Sequence, residues 1–144
     1  MDNTENFTDN QDNITITRMW EDTGFFAVRV SAVSESVTAN VECYTTDSDI
    51  LELRAQCAAF AETREPFEWQ TGQHDIGYVS LHFVPLDKRG HITVKVSIES
   101  DSDTDSWYYG YFRVMTEIGA IQRFAVDLRA LTEPNIGVSV SLRN

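Results

Sequence analysis

Three histidines lie close together along the chain, and imidazole is a common zinc ligand in catalytic sites. His74 lies in a segment without clear periodicity, His82 in the middle of an alternating strand, and His91 just after the turn that follows. Three imidazoles with an open fourth position can activate water, so a metal-dependent enzyme is one hypothesis. Because nothing fixes His74 relative to the other two, we favour surface or hydrogen-bonded histidines and predict no metal and no cofactor.

An acidic run follows at Asp101, Asp103 and Asp105. Carboxylates at alternate positions imitate the first half of a calcium loop. Counted from Asp101, however, the glycine position holds Ser106 and the glutamate position holds Phe112. We therefore predict a solvated acidic turn whose charges either protect an exposed sheet edge from pairing or attract a basic partner.

Aromatic residues are concentrated at Trp69 and in the stretch Trp107–Phe112. Neighbouring residues of a strand point to opposite faces, so one set of these rings must point away from the core. Exposed aromatic residues often anchor protein interfaces. The predicted partner-binding residues are therefore four aromatic anchors and four flanking acidic residues, Trp69, Trp107, Tyr109, Tyr111, Glu68, Asp101, Asp103 and Asp105.

Other reactive groups give no catalytic pattern. Cys43 and Cys57 both lie on predicted apolar faces, where a thiol behaves as a small buried hydrophobic group. Phosphate-binding glycine loops, a Gly-x-Ser-x-Gly elbow and paired Cys-x-x-Cys motifs are missing from the sequence. We predict no catalytic residues and a protein that is not an enzyme.

The elements that position these residues follow from hydrophobic periodicity. Apolar residues alternate in seven segments, at about 14–19, 25–32, 37–43, 79–83, 92–98, 107–114 and 138–142. Helical spacing marks residues 49–63, starting with Asp49 as a cap, and a second helix from a Thr116 cap to before Pro134. Residues 67–74 show no clear period and are interpreted as a connection or irregular edge.

This order predicts an α+β fold, a mainly antiparallel sheet of about six or seven strands with two amphipathic helices packed on one face. The opposite sheet face is expected to be polar and partly aromatic. Its predicted residues are Arg29, Glu42, Tyr44, His82, Lys95 and Glu99.

The length of 144 residues suits one domain, which we place at 14–144 after a disordered acidic tail at 1–13. With 23 acidic and 11 basic residues the chain carries a formal charge of -12. This charge disfavours nucleic acid and membrane surfaces and favours a basic protein partner, although acidity also simply maintains solubility. The polar N-terminus has no basic, apolar leader, so a cytoplasmic location is expected.

In layout, the chain resembles the WapI-type immunity family and related small uncharacterised bacterial domains. The resemblance rests on the helix 49–61, the link from Trp69 to Gly72, the hairpin 79–98 with Asp87, Gly90 and His91 at its turn, and the closing helix. It covers residues 25–131. It implies a bacterial protein that binds and neutralises a cognate polymorphic toxin, a role that needs no catalytic residue.

Three hypotheses thus remain. The first is a non-enzymatic inhibitor that binds a basic toxin domain. The second is a structural module that self-associates through an outer sheet face or an edge strand. The third is a metal-dependent enzyme that uses the three histidines. We expect a monomer or weak dimer.

Overall fold

The computed structural model describes residues 12–35, 37–100 and 108–143. Its strands form where apolar and polar residues alternate. The elements in chain order are β1 Asn13–Asp22, β2 Phe25–Ser34, β3 Val37–Thr45, α1 Asp47–Thr63, β4 Phe67–Gln73, β5 Gly77–Pro85, β6 His91–Ser100, β7 Tyr108–Glu117, α2 Ile118–Asp127, a 3-10 helix Leu128–Thr132, and β8 Ser139–Arg143.

The strands of the described residues form two antiparallel sheets of four. The first sheet has the order β3-β2-β1-β8 and the second has the order β4-β5-β6-β7. The predicted α+β class, the antiparallel pairing and the two helices are confirmed. In the part of the chain that the structure describes there are eight strands in two sheets, which differs from the prediction because alternation identifies strands but does not specify which strands pair.

The strand that was not predicted is β4, because residues 67–74 were interpreted as a connection or irregular edge. Phe67, Trp69 and Thr71 point inward, whereas Glu68 and Gln70 point outward. The inward Thr71 hides this alternation because it is polar. Its hydroxyl is satisfied inside the protein by Thr45 Oγ1 at 2.8 Å and Asp49 Oδ2 at 2.9 Å.

The helix starts also differ from those predicted. α1 begins at Asp47, and Thr46 is its cap, accepting from the Asp49 backbone N–H at 3.1 Å. α2 follows β7 directly, so Thr116 lies in the strand and Glu117 occupies the cap position without a side-chain cap bond. In both cases the helix begins within two residues of the end of the preceding strand, so the boundary differs from the predicted one by only a few residues.

Both helices contribute to one hydrophobic core with the inner faces of the two sheets. From α1, Phe60 packs edge-on against Phe67 of β4 at 5.7 Å between ring centroids and also contacts Phe83 of β5 at 6.0 Å. α2 buries Ile121 and Phe124 in the same core. We call the sheet faces that point away from this core the outer faces.

Arg18 is a charged residue among these buried side chains. Its guanidinium donates to Leu131 O at 2.6 Å and to Glu21 Oε2 at 2.8 Å. The same group lies 3.8 Å from the centre of the Phe26 ring, which gives a cation–π contact. Arg18 thereby connects β1 to the 3-10 helix.

The two sheets meet where the β4–β5 hairpin abuts β3. A Cβ atom at Gly77 would lie 2.1 Å from Glu42 O, and one at Gly72 would lie 2.2 Å from Gly77 O. Gly72 also has a φ of +87°, which favours glycine. Farther along β3, Asn40 N donates to Tyr108 Oη at 3.2 Å. The edge of β3 is therefore covered by the second sheet.

β1 begins at Asn13, and the carboxylate of Asp12 accepts from Met115 N of β7 at 2.8 Å. Residues 1–11 lie outside the described part of the chain, so the acidic tail at 1–13 and the single domain at 14–144 stay predictions. Within the described residues, none of the helices has the length and apolar character needed to cross a membrane.

The close contact of Gly77 with the β3 backbone predicts the effect of the substitution Gly77→Ala. The added methyl group must displace the β3 backbone, and overpacking of this kind costs about 3 kcal/mol of unfolding free energy. Gly110→Ala is the matched strand control, because its nearest neighbour to an added Cβ is a Phe112 ring atom 3.9 Å away. Urea denaturation of both variants measures the difference in their free energies of unfolding. Equal free energies of unfolding would contradict the close approach of Gly77 to β3.

Candidate partner-binding surface

The outer face of the second sheet carries exposed tyrosines at one end of its strands. The strand register places Tyr78 of β5 opposite Glu99 of β6, and Glu99 opposite Tyr109 of β7. In the next row, Ser97 lies opposite Tyr111. We call this surface, with Tyr78, Tyr109, Tyr111, Glu99 and the adjoining His74, the tyrosine face.

Hydrogen bonds and stacking order one side of the tyrosine face. The His74 ring stacks on Tyr78 with 4.0 Å between centroids, and His74 Nδ1 lies 2.8 Å from Glu99 Oε2. The Tyr78 hydroxyl donates to Gln70 Oε1. Burial raises the pKa of Tyr78 above its usual value, and the charges of Glu68 and Glu99 contribute. Tyr78 therefore remains a neutral phenol and hydrogen-bond donor at neutral pH.

Tyr109 and Tyr111 are the most exposed aromatic residues of this surface, at 55% and 60%. They are two residues apart on β7, so both rings project from the same face. The helices pack on the opposite side of the sheet and cannot cover them. A tyrosine at such a position offers a large apolar area and a hydroxyl at little entropic cost on binding.

Charged residues continue the face beyond the tyrosines. Glu68 of β4 lies opposite His82 of β5, which lies opposite Lys95 of β6, and Arg113 of β7 ends the row. The Ser80 hydroxyl donates to Glu68 Oε2 at 2.8 Å. The face thus combines exposed rings with charges of both signs, which is typical of the polar rim of an interface.

The predicted site residues divide into three groups. Tyr109, Tyr111 and Glu68 lie on the outer face of the second sheet, as described above. Trp69 points to the opposite side, is only 3% exposed, and donates from Nε1 to Asp49 O at 2.8 Å. The structure therefore assigns Trp69 to the core, as a correction to its predicted anchor role. Asp101, Asp103, Asp105 and Trp107 lie outside the described residues.

Sequence reasoning missed two aromatic contributors to the tyrosine face, Tyr78 and His74. Tyr78 lies on the same outward face of β5 as Ser80 and His82, so the alternation of this strand could have predicted its position. The contact of His74 with Tyr78 depends on the β4–β5 turn and has no comparable signal in the sequence.

The outward side chains predicted for the sheet also separate into two surfaces. Arg29 and Glu42 pair at 3.0 Å on the first sheet, near Tyr44. His82, Lys95 and Glu99 belong to the second sheet. Their outward orientation agrees with the prediction, but they do not form one face.

The first sheet has its own aromatic cluster, which the sequence analysis did not identify. Tyr44 packs edge-on against Trp20 at 5.4 Å and against Phe25 at 5.2 Å between ring centroids. All three rings are at least one-third exposed, and Ala27 is buried between the strands that carry Trp20 and Tyr44. We call Trp20, Phe25 and Tyr44 the second aromatic cluster.

The three histidines do not converge. His74 contacts Glu99 near the C-terminal end of β6, whereas His91 begins β6 and contacts Asp87 Oδ2 at 2.6 Å. These ends are about 25 Å apart at the rise of an extended strand. Hydrogen bonding from His91 lowers the pKa of Asp87. Among the described residues, no group of three or more His, Cys, Asp or Glu side chains is arranged to hold a metal.

Comparison with known protein families, with curated proteins and with solved structures finds no match to this chain.

The two cysteines provide a testable consequence of the core packing. Cys43 and Cys57 are free and buried, and burial raises the pKa of each thiol to about 12. Since only the thiolate attacks electrophiles, neither thiol should react with iodoacetamide in the folded protein at pH 8. Mass spectrometry should show no adduct in buffer and two adducts in urea. Rapid modification of either cysteine in buffer would contradict the packing.

Proposed function

We propose that this protein is a non-enzymatic inhibitor, an immunity protein that binds a basic polymorphic toxin in the bacterial cytoplasm. The observation that carries the proposal is the exposed pair Tyr109 and Tyr111 on a sheet face that the helices leave uncovered. The resemblance in layout to the WapI-type immunity family supplies the biological role. No metal, cofactor, nucleic acid or membrane takes part in this proposal.

Charge supports a basic partner. The chain has a formal charge of -12, so its field accelerates encounter with a cation-rich domain. Glu68 and Glu99 place carboxylates beside the tyrosine face, and Asp101, Asp103 and Asp105 add steering charge in this proposal. Long-range attraction sets the association rate, whereas burial of the rings sets how long the complex lasts.

The anchors act by losing water on binding. An aromatic ring at the centre of an interface commonly contributes about 2 kcal/mol or more, while an exposed ion pair contributes under about 1 kcal/mol. Tyr109 and Tyr111 should therefore dominate affinity, and Glu68 should affect mainly association rate and salt dependence.

A second candidate function is a self-associating structural module. The second aromatic cluster favours it, because Trp20, Phe25 and Tyr44 form a contiguous exposed aromatic patch on a separate face. Pairing of two such faces would bury aromatic area without any toxin. The oligomeric state at low and at high salt distinguishes this candidate function from the inhibitor proposal.

The inhibitor proposal predicts the effect of the double substitution Tyr109→Ala, Tyr111→Ala. The partner for the test is the C-terminal domain of a polymorphic toxin encoded directly upstream of the gene for this chain. Loss of both rings should weaken binding by more than about 30-fold, since the loss of about 2 kcal/mol from one ring already corresponds to that factor. Calorimetry measures the dissociation constant, and growth after co-expression measures protection.

Two controls make that result specific. Ile136→Ala removes a similarly exposed apolar side chain, at 56%, outside the tyrosine face. Tyr44→Ala removes a ring from the second aromatic cluster. Both should retain binding and protection. Absence of an upstream toxin gene, failure to protect, or equal losses in all variants would count against the inhibitor proposal.

Oligomeric state provides a separate prediction. The inhibitor proposal expects a monomer of 16.4 kDa by sedimentation equilibrium at both low and high salt. The self-association candidate expects a dimer that persists at high salt, because apolar burial is not screened. A salt-resistant dimer that Tyr44→Ala dissociates would favour the structural module.

A further inference from the structure

A groove runs along the strand β8 of the first sheet. It has a volume of about 690 Å³ and lies between β8, α2 and the 3-10 helix. Its lining includes one arginine from each element: Arg123, Arg129 and Arg143. Asp127 and Glu133 also line it, so the groove has a small positive excess in a chain of charge -12.

Among the described residues, the three arginines have no carboxylate partners. Ion pairs elsewhere engage Arg18 with Glu21 and Arg29 with Glu42. Within residues 12–35, 37–100 and 108–143, none of Arg123, Arg129 and Arg143 forms a salt bridge. All three are exposed, so their guanidinium groups can receive an external carboxylate.

β8 is also an edge strand among the described elements, since it pairs with β1 alone of the strands that the structure describes. Arg18 N donates to Val138 O at 2.9 Å. Because backbone groups alternate in direction along a strand, this bond shows which residues of β8 direct their N–H and C=O groups toward β1 and which direct them away. Hydroxyl pairs at Thr15–Ser141, 2.9 Å, and Thr17–Ser139, 2.6 Å, are typical of non-hydrogen-bonded positions. The backbone N–H and C=O groups of Ser139, Ser141 and Arg143 therefore point away from β1.

The edge strands β3 and β7, unlike β8, contact other parts of the protein through their backbone. On β3, Asn40 N is bonded by Tyr108 and Gly77 packs on Glu42 O. On β7, Met115 N is bonded by Asp12. By contrast, no backbone bond from Ser139–Arg143 to any described element other than β1 is observed. As far as the described residues extend, the edge of β8 is available for pairing.

We propose that this groove binds an extended acidic peptide segment of a partner protein, which adds to the first sheet as a strand beside β8. The peptide backbone pairs with Ser139, Ser141 and Arg143. Its alternate side chains point toward α2 and the 3-10 helix, where carboxylates meet Arg123 and Arg129. Val126, which is 68% exposed in the groove, contacts the aliphatic part of the same side chains.

This inference is independent of the proposed inhibitor function. The tyrosine face lies on the second sheet and is proposed to bind a basic domain, whereas the groove lies on the first sheet and selects acidic character. One surface can therefore fail its test while the other passes.

The test uses a capped, fluorescent peptide of alternating glutamate and threonine, with a lysine–threonine peptide as control. Fluorescence anisotropy with the full chain should show binding of the acidic peptide and none of the basic one. Charge reversal at Arg123→Glu or Arg129→Glu should weaken binding at least about tenfold. Arg89→Glu makes the same charge change on the exposed β5–β6 turn and should have a much smaller effect.

Backbone pairing is tested by methylating alternate peptide nitrogens of the same acidic peptide. Methylation removes the amide donors while leaving the charge, so binding through β8 should weaken about tenfold or more. Amide signals of Ser139, Ser141 and Arg143 should gain protection from hydrogen exchange when the unmethylated peptide binds. Failure of the acidic peptide to bind, equal binding of the two charge types, or indifference to Arg123→Glu and to methylation would overturn the proposal.

Discussion

The structure depends on the close contact between the β4–β5 hairpin and β3. Gly72 and Gly77 allow the hairpin backbone to approach Cys43 and Glu42 at distances that a Cβ atom would not permit. This contact joins two sheets of different strand order into a molecule with one core, because β3 then lies against the second sheet. It also determines what is exposed, since the core side of both sheets packs with the helices and the other side faces outward.

One-sided packing leaves three surfaces with different chemistry. The second sheet presents the tyrosine face, ordered by the contacts among His74, Tyr78 and Glu99. The first sheet presents the second aromatic cluster at one end and the arginine groove along β8. The histidines and cysteines, which are the groups best suited to catalysis, are dispersed or buried.

Sequence periodicity predicted much of this arrangement. Alternation correctly identified β2, β3, β5 and β6, and helical spacing identified the buried side of α1, including Ile50, Leu53, Cys57 and Phe60. It failed for β4 because Thr71, a polar residue, occupies an inward position through bonds to Thr45 and Asp49. The same error placed Trp69 outside, although its indole donates to the backbone of α1. The partition into two sheets depends on long-range pairing of β1 with β8 and is not encoded in any local window.

In the proposed complex, a basic partner covers the tyrosine face. Hydroxyl-radical footprinting of the chain, free and in complex with the upstream toxin domain, tests this proposal, because side-chain oxidation reports solvent access at each ring. We expect Tyr109 and Tyr111 to lose reactivity in the complex while Trp20, Phe25 and Tyr44 keep theirs. Unchanged oxidation of Tyr109 and Tyr111, with protection of the second aromatic cluster instead, would contradict the proposed role of the tyrosine face.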